Sequence, residues 1–183
     1  MSFTLTTNRL ILEVEDSSKA DKVLAFYTRN KTLFEHFEPT RPKNFYTLPY
    51  QTASMNCEYS EIIKGKTLRY YIYLKSQPDA IIGSVNFSHI MHGPFSKTSI
   101  GYKLDASCHG NGYALEACQA AIAVIFSNYK IHRIEARVSP ENTPSIRLLE
   151  RLGFFYEGIE YQSEEVNGVF RDHCRYGLIS TIQ

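Results

Sequence analysis

The sequence has no C-x-x-C pair, no cysteine–histidine spacing of the zinc type, and no run of five like charges. It also has no apolar stretch near the ~18 residues of a membrane span. Each absence removes a class. The four cysteines, Cys57, Cys108, Cys118 and Cys174, are expected as reduced thiols of a cytoplasmic protein, with no disulfide and no metal. A formal net charge of +1 gives no electrostatic reason to expect nucleic acid or a membrane as partner. The opening MSFTLTTNRLILEVED lacks the charged-then-apolar layout of a signal peptide. No repeat, low-complexity tract or linker divides the 183 residues, so one domain over 1–183 is expected.

What is present is alternation and turn chemistry. Phe3–Glu13 reads as a strand. Ser18 and Asp21 resemble a capping box for a helix whose one face carries Ala20, Val23, Leu24 and Tyr27. Pro39 and Pro42 stop regular structure, and Pro49 suits the first turn of a helix over Leu48–Lys64. TLRYYIYLK, AIIGSVNFSHI and KTSIGYKL read as strands, the first two joined by the turn SQPD. A helix over Gly112–Ser127, the strand HRIEARVS and a second helix follow. That last helix is expected to be capped by Thr143, with Pro144 at its first position and Gly153 past its end. FFYEGIEYQ and VFRDHCRYGLIS read as antiparallel strands joined across an Asn-Gly turn. The order predicts an α/β fold around a mixed, mostly antiparallel sheet of about seven strands.

The stretch CHGNGYALEAC places glycines directly against good helix formers. A helix start offers unpartnered N–H groups and partial positive charge, and glycines let such amides converge on a phosphate. The same stretch also suits an ordinary glycine-eased turn. It is neither of the common nucleotide-loop patterns, and hairpins upstream disfavour a dinucleotide fold.

Further motifs decide between these. SIGYKL precedes the loop, HRIEARVSPENTPSIRLLERLGF lies about twenty residues beyond it, NGVFRDHCRYGL ends the chain, and TNRLIL opens it. Together they resemble the GNAT superfamily of acyl-CoA-dependent N-acetyltransferases. More narrowly, they resemble the Rim-type branch of ribosomal-protein alanine and serine N-terminal acetyltransferases. The resemblance is strongest over Ile100–Phe154 and weakest over Lys31–Lys66. It implies a twisted sheet with helices on both faces and splayed central strands.

The superfamily's Gln/Arg-x-x-Gly-x-Gly/Ala signature falls on His109, Gly110, Asn111, Gly112, Tyr113 and Ala114. Gly112 and Ala114 match, and His109 departs. The resemblance implies that these residues wrap the pyrophosphate of coenzyme A by main-chain amides. It implies that Tyr102, Lys103 and Leu104 pair with the pantetheine arm, with a backbone N–H there holding the oxyanion. Asn142 would bind the pantetheine, and Ser145 would sit in the next helix's first turn. Glu135 is a candidate base, although the superfamily's glutamate lies five residues before the asparagine, where this chain has Arg137. Glu116 is read as structural, and His89 and His173 as further candidates for base work. Leu149 stands where many members carry a tyrosine acid, which leaves Ser145 or water to protonate the thiolate. Phe34, Phe37, Tyr70, Asn86 and Asp172 are expected to border the acceptor.

The implied reaction is transfer of acetyl from acetyl-CoA to a primary amine in a direct ternary complex. The acceptor expected first is a protein N-terminal α-amine. Its pKa of about 8, against about 10.4 for lysine, saves roughly 3.3 kcal/mol of deprotonation work at neutral pH. A small-molecule amine as acceptor and a non-catalytic acyl-CoA-binding module are the alternatives. A monomer or homodimer fits either.

Overall fold

In a computed structural model, which describes residues 3–181, the stretch Phe3–Glu13 folds as two strands instead of one. β1 (Thr4–Thr6) and β2 (Leu10–Glu13) pair antiparallel, Thr4 opposite Glu13. Thr7 makes the turn: its amide donates to the Leu10 carbonyl at 3.0 Å, and its hydroxyl accepts from the Leu10 amide at 3.1 Å. A threonine side chain offers the backbone this local alternative to the ladder. The sheet therefore has eight strands, in the order β1-β2-β3-β4-β5-β6-β8-β7.

The remaining elements are α1 (Ala20–Arg29), α2 (Lys31–Glu35), α3 (Leu48–Ile63), β3 (Leu68–Leu74), β4 (Gln77–Met91), β5 (Lys97–Leu104), α4 (Tyr113–Ser127), β6 (Arg133–Val138), α5 (Thr143–Arg151), β7 (Phe155–Val166) and β8 (Val169–Ile179). Pro78, expected in a turn, lies inside β4 where the register with β3 shifts, so its missing N–H interrupts no regular ladder. Asn167 and Gly168 form the turn between β7 and β8 with φ of 53° and 77°, the two left-handed positions that favour Asn-Gly.

Period-2 alternation builds two cores. Tyr70 and Ile72 of β3, with Val85 and Phe87 of β4, face Cys118, Ala121 and Ile125 of α4 and Leu149 of α5. The intervening Tyr71 and Tyr73 face Val23, Phe26 and Tyr27 of α1 and Met55 of α3. Helices thus cover both faces.

All strand pairs are antiparallel except β5 with β6, which α4 connects by a crossover. This pair is short: Lys97, Thr98 and Ser99 oppose Arg133, Ile134 and Glu135. β5 then continues to Leu104 alongside β4, while β6 continues to Val138 alongside β8. The two strands part and a wedge opens between them. Gly83 lets β4 hold the departing end of β5 closely, since a Cβ there would stand 2.6 Å from the Lys103 carbonyl oxygen.

Candidate active site

The wedge opens into a cleft of about 570 Å³. Tyr102, Lys103 and Leu104 form its β5 wall. His109, Gly110, Gly112, Tyr113 and Ala114 form its floor, and Asn142 and Ser145 reach it from α5. Residues read from three separate motifs thus meet in one cavity. The Tyr102 hydroxyl donates to the Ser145 carbonyl at 3.1 Å, which seats the first turn of α5 against the open strand.

The loop's shape follows from its glycines. Gly110 and Gly112 both have φ of 77°, and a Cβ on Gly110 would meet nothing within 4 Å. The demand at Gly110 is for left-handed backbone, not for space. Gly112 caps α4, and the Glu116 amide closes the first turn on its carbonyl at 3.1 Å. The amides just before Glu116 have no acceptor within the helix and carry the positive end of its dipole.

Asn111 does not line the cleft. Its side chain donates to the Cys108 and His109 carbonyls at 3.3 and 3.0 Å, so it shapes the turn from within. A His109 ring nitrogen lies 3.2 Å from the Leu104 carbonyl, joining the loop to the end of β5. Asn142, not Thr143, caps α5: its side chain accepts from the Ser145 amide at 3.2 Å. The cap falls one residue earlier than the sequence suggested because an asparagine oxygen reaches the third amide well.

Glu135 lies where β5 and β6 are still paired, opposite Ser99, and lines no part of the cleft. Arg133 donates to it at 3.0 Å and Lys97 lies 3.2 Å away. Burial alone would raise its pKa, but these cations outweigh burial and hold it below the ordinary value. In place of the candidate base, the geometry makes Glu135 one member of an ion-pair ladder that continues through Arg133 to Glu157 and Arg175. Gly177 leaves room for this ladder, since a Cβ there would stand 2.9 Å from Arg133 and Glu157.

Three charged cleft residues, Glu38, Arg147 and Arg151, had no motif to announce them. Arg147 and Arg151 lie one turn apart on α5 and bring two cations to the cleft. Their i, i+4 spacing was a readable signal. Glu38 and Lys103 form an ion pair at 2.5 Å with both side chains mostly buried, and Arg41 also pairs with Glu38. Burial, helped by the nearby Arg69 and Arg41 cations, pulls the Lys103 ammonium down to about 8.

A second cleft of about 450 Å³ lies across Phe37, which lines both. His36, Glu141, Asn167, Asp172 and His173 border it. Asp172 accepts from the Gln162 amide at 2.8 Å. His173 is buried, with a ring nitrogen 3.2 Å from the Ser163 hydroxyl. The Asn167 side chain donates to the Glu35 carbonyl at 3.2 Å, tying the β7–β8 turn to the end of α2. Of the other residues expected near an acceptor, Phe34 lines the first cleft. Tyr70 is fully buried in the core, and Asn86 lies across Gly101, so neither lines a cleft. His89 occupies an exposed left-handed position where β4 and β5 lose register. Among the described residues no cluster of His, Cys, Asp and Glu is arranged to hold a metal, and no helix is long and apolar enough to cross a membrane.

Residues 9–155 match the acetyltransferase (GNAT) domain family. The chain is 35% identical over 162 residues to the probable N-acetyltransferase YjcK of Bacillus subtilis, covering 88% of this chain and 87% of that protein. It is 31% identical over 174 residues to the ribosomal protein uS5-alanine N-acetyltransferase of Escherichia coli, covering 95% and 89%. The crystal structure of a ribosomal-protein-S5-alanine acetyltransferase from Vibrio fischeri superposes with a TM-score of 0.93 at 25% identity, over 99% and 98% of the two chains. RimJ of Mycobacterium smegmatis, solved in complex with CoA-disulfide, superposes with a TM-score of 0.87 at 27% identity, over 95% and 84%. The overall fold is thus shared along almost the whole chain with these two solved structures, and the protein belongs to the GNAT acetyltransferase family.

Proposed function

We propose that this enzyme transfers acetyl from acetyl-CoA to the α-amine of a protein N-terminus. The observation that carries the reading is the meeting of two clefts at Phe37, one with phosphate-binding chemistry and one with acidic groups.

On the donor side, the amides of Gly110–Ala114 take the diphosphate, with Arg147 and Arg151 supplying charge. Tyr102–Leu104 present a strand edge that β6 has left, so an extended pantetheine arm can pair with it as a strand would. A β5 amide facing the wedge then polarises the thioester carbonyl and holds the developing oxyanion. Ser145 flanks the same arm. Leu149 is buried in the core and carries no ionisable proton, so it is not the acid for the leaving thiolate. The leaving thiolate, with a thiol pKa near 8.5, tolerates protonation by Ser145 or water.

On the acceptor side, Glu141 and Asp172 attract an ammonium into the second cleft. Alignment of amine and thioester can supply ~7–11 kcal/mol, most of what the reaction needs from the protein. An α-amine, with a pKa of about 8, gives up its proton far more readily than a lysine and needs only a weak or water-mediated base. The Cys108 thiol is buried, with its sulfur 3.8 Å from the Ser107 hydroxyl, which favours direct transfer over an acetyl-enzyme.

The test is thiol release from acetyl-CoA with peptides beginning Ala, Ser or Met, run beside free amines. Turnover on peptides, abolished when the α-amine is blocked, is the expected result. Turnover on free amines alone would move the assignment to a small-molecule acceptor. Tight coenzyme A binding without turnover would make the protein a binding module.

A further inference from the structure

The pyrophosphate loop is anchored from behind by residues outside the cleft. Glu116, in the first turn of α4, receives the turn between β1 and β2: the Thr7 hydroxyl donates to it at 2.6 Å, the Arg9 amide at 2.8 Å and Arg9 Nε at 2.7 Å. Arg9 then reaches forward. Its Nη1 donates to the Asn111 carbonyl at 2.9 Å, and its guanidinium carbon lies 4.6 Å from the centre of the Tyr113 ring. Thr7, Arg9, Asn111 and Glu116 line no part of the donor cleft, whereas Gly110, Gly112 and Tyr113 do.

The peptide joining Asn111 to Gly112 is planar and trans, so its C=O and N–H point in opposite directions. A carbonyl turned into the cleft would repel a diphosphate. We infer that Arg9, held by Glu116, is a positioning residue for the donor: by fixing the Asn111 carbonyl outward it aims the Gly112 amide into the phosphate site. This rests on the proposed reading that the cleft takes acetyl-CoA. Lysine cannot replace Arg9, because one ammonium on a flexible stem does not bridge Glu116 and the Asn111 carbonyl with fixed geometry.

The test compares two donors on the full chain, acetyl-CoA and S-acetylpantetheine, which lacks the diphosphate. Arg9→Gln is expected to raise the KM for acetyl-CoA about ten-fold or more, the loss of a charge-assisted hydrogen bond, with kcat within about two-fold. Arg9→Lys is expected to restore little. The KM for S-acetylpantetheine is expected to stay at the wild-type value. Glu116→Gln should reproduce the pattern in weaker form, since the amide keeps one acceptor oxygen for the Thr7–Arg9 turn. An equal loss with both donors would reduce Arg9 to a purely structural role and overturn the inference, as would an unchanged KM for acetyl-CoA. Wild-type protein that turns over acetyl-CoA while Arg9→Gln matches it sinks this inference alone. Wild-type protein that does not bind coenzyme A sinks the donor reading and the inference with it.

Discussion

Two glutamates in this chain show how environment assigns a residue's work. Glu116 and Glu135 both have pKa values held below the ordinary range, in each case because hydrogen bonds and cations outweigh the opposing effect of burial. Glu116 accepts from the β1–β2 turn, whose Arg9 holds the Asn111 carbonyl of the glycine turn, whereas Glu135 sits in an ion-pair ladder at the closed end of the wedge. Glu135→Gln is therefore expected to leave kcat within about two-fold and to cost about 1 kcal/mol of stability, because Arg133 keeps Glu157. A collapse of kcat measured by thiol release, with the fold intact by circular dichroism, would return Glu135 to the role of base. The glycines make the opposite case. Gly110→Ala forces a left-handed φ on a residue with a Cβ, at a cost of roughly 1–2 kcal/mol, although no atom stands in the way. Its expected signature is weaker coenzyme A binding by calorimetry with a smaller change in the melting temperature.

Among the elements, the parted pair β5 and β6 and the hairpin β7–β8 matter most. The wedge exists because β5 follows β4 and β6 follows β8 once their own pairing ends at Ser99 and Glu135. The hairpin tip is fastened to α2 through Asn167 and the Glu35 carbonyl, and Asn167 also borders the second cleft, the one proposed to take the acceptor. Asn167→Gly keeps a residue that tolerates the left-handed turn but removes the tether. It is expected to raise the KM for a peptide acceptor several-fold while leaving that for acetyl-CoA unchanged, which steady-state kinetics with each substrate varied in turn would measure. A shift confined to the donor KM would disconnect the hairpin from acceptor binding.

For the whole molecule, the glycine turn before α4 is held by parts of the chain remote in sequence. Asp105, between β5 and the loop, accepts from the Arg29 and Asn30 side chains of the opposite layer and from the Ser107 amide. Burial alone would raise its pKa, but the bonds from Arg29, Ser107 and Asn30 outweigh it and bring the value to about 2, from 3.8. The folded value lies below the unfolded one, so the contribution of this carboxylate is complete above pH 3.8 and is lost as pH falls toward 2. Asp105→Asn should remove most of that acid sensitivity and lower the melting temperature at neutral pH, where a pH series of thermal melts would show it. Parallel loss of stability with falling pH in wild type and variant would locate the sensitive group elsewhere.

Much of this was legible along the chain. Alternation in TLRYYIYLK and KTSIGYKL placed strands, Asn-Gly placed the last hairpin, and the glycines beside ALEA placed the turn into α4, because each depends on neighbours a few residues apart. The same local rules misjudged Phe3–Glu13, where one threonine side chain competes for the backbone, and the cap of α5, where two adjacent residues can each serve. The sequence by itself thus determined most of the elements, their order and the position of the glycine turn. Only the tertiary structure decided that Glu135 is consumed by Arg133 and Lys97, that Lys103 meets Glu38, and that Arg9 steadies Asn111. Backbone conformation follows from residues adjacent in sequence, but the partner a charge finds follows from which strands and helices the packed core brings within a few ångströms, and no local pattern encodes that distance.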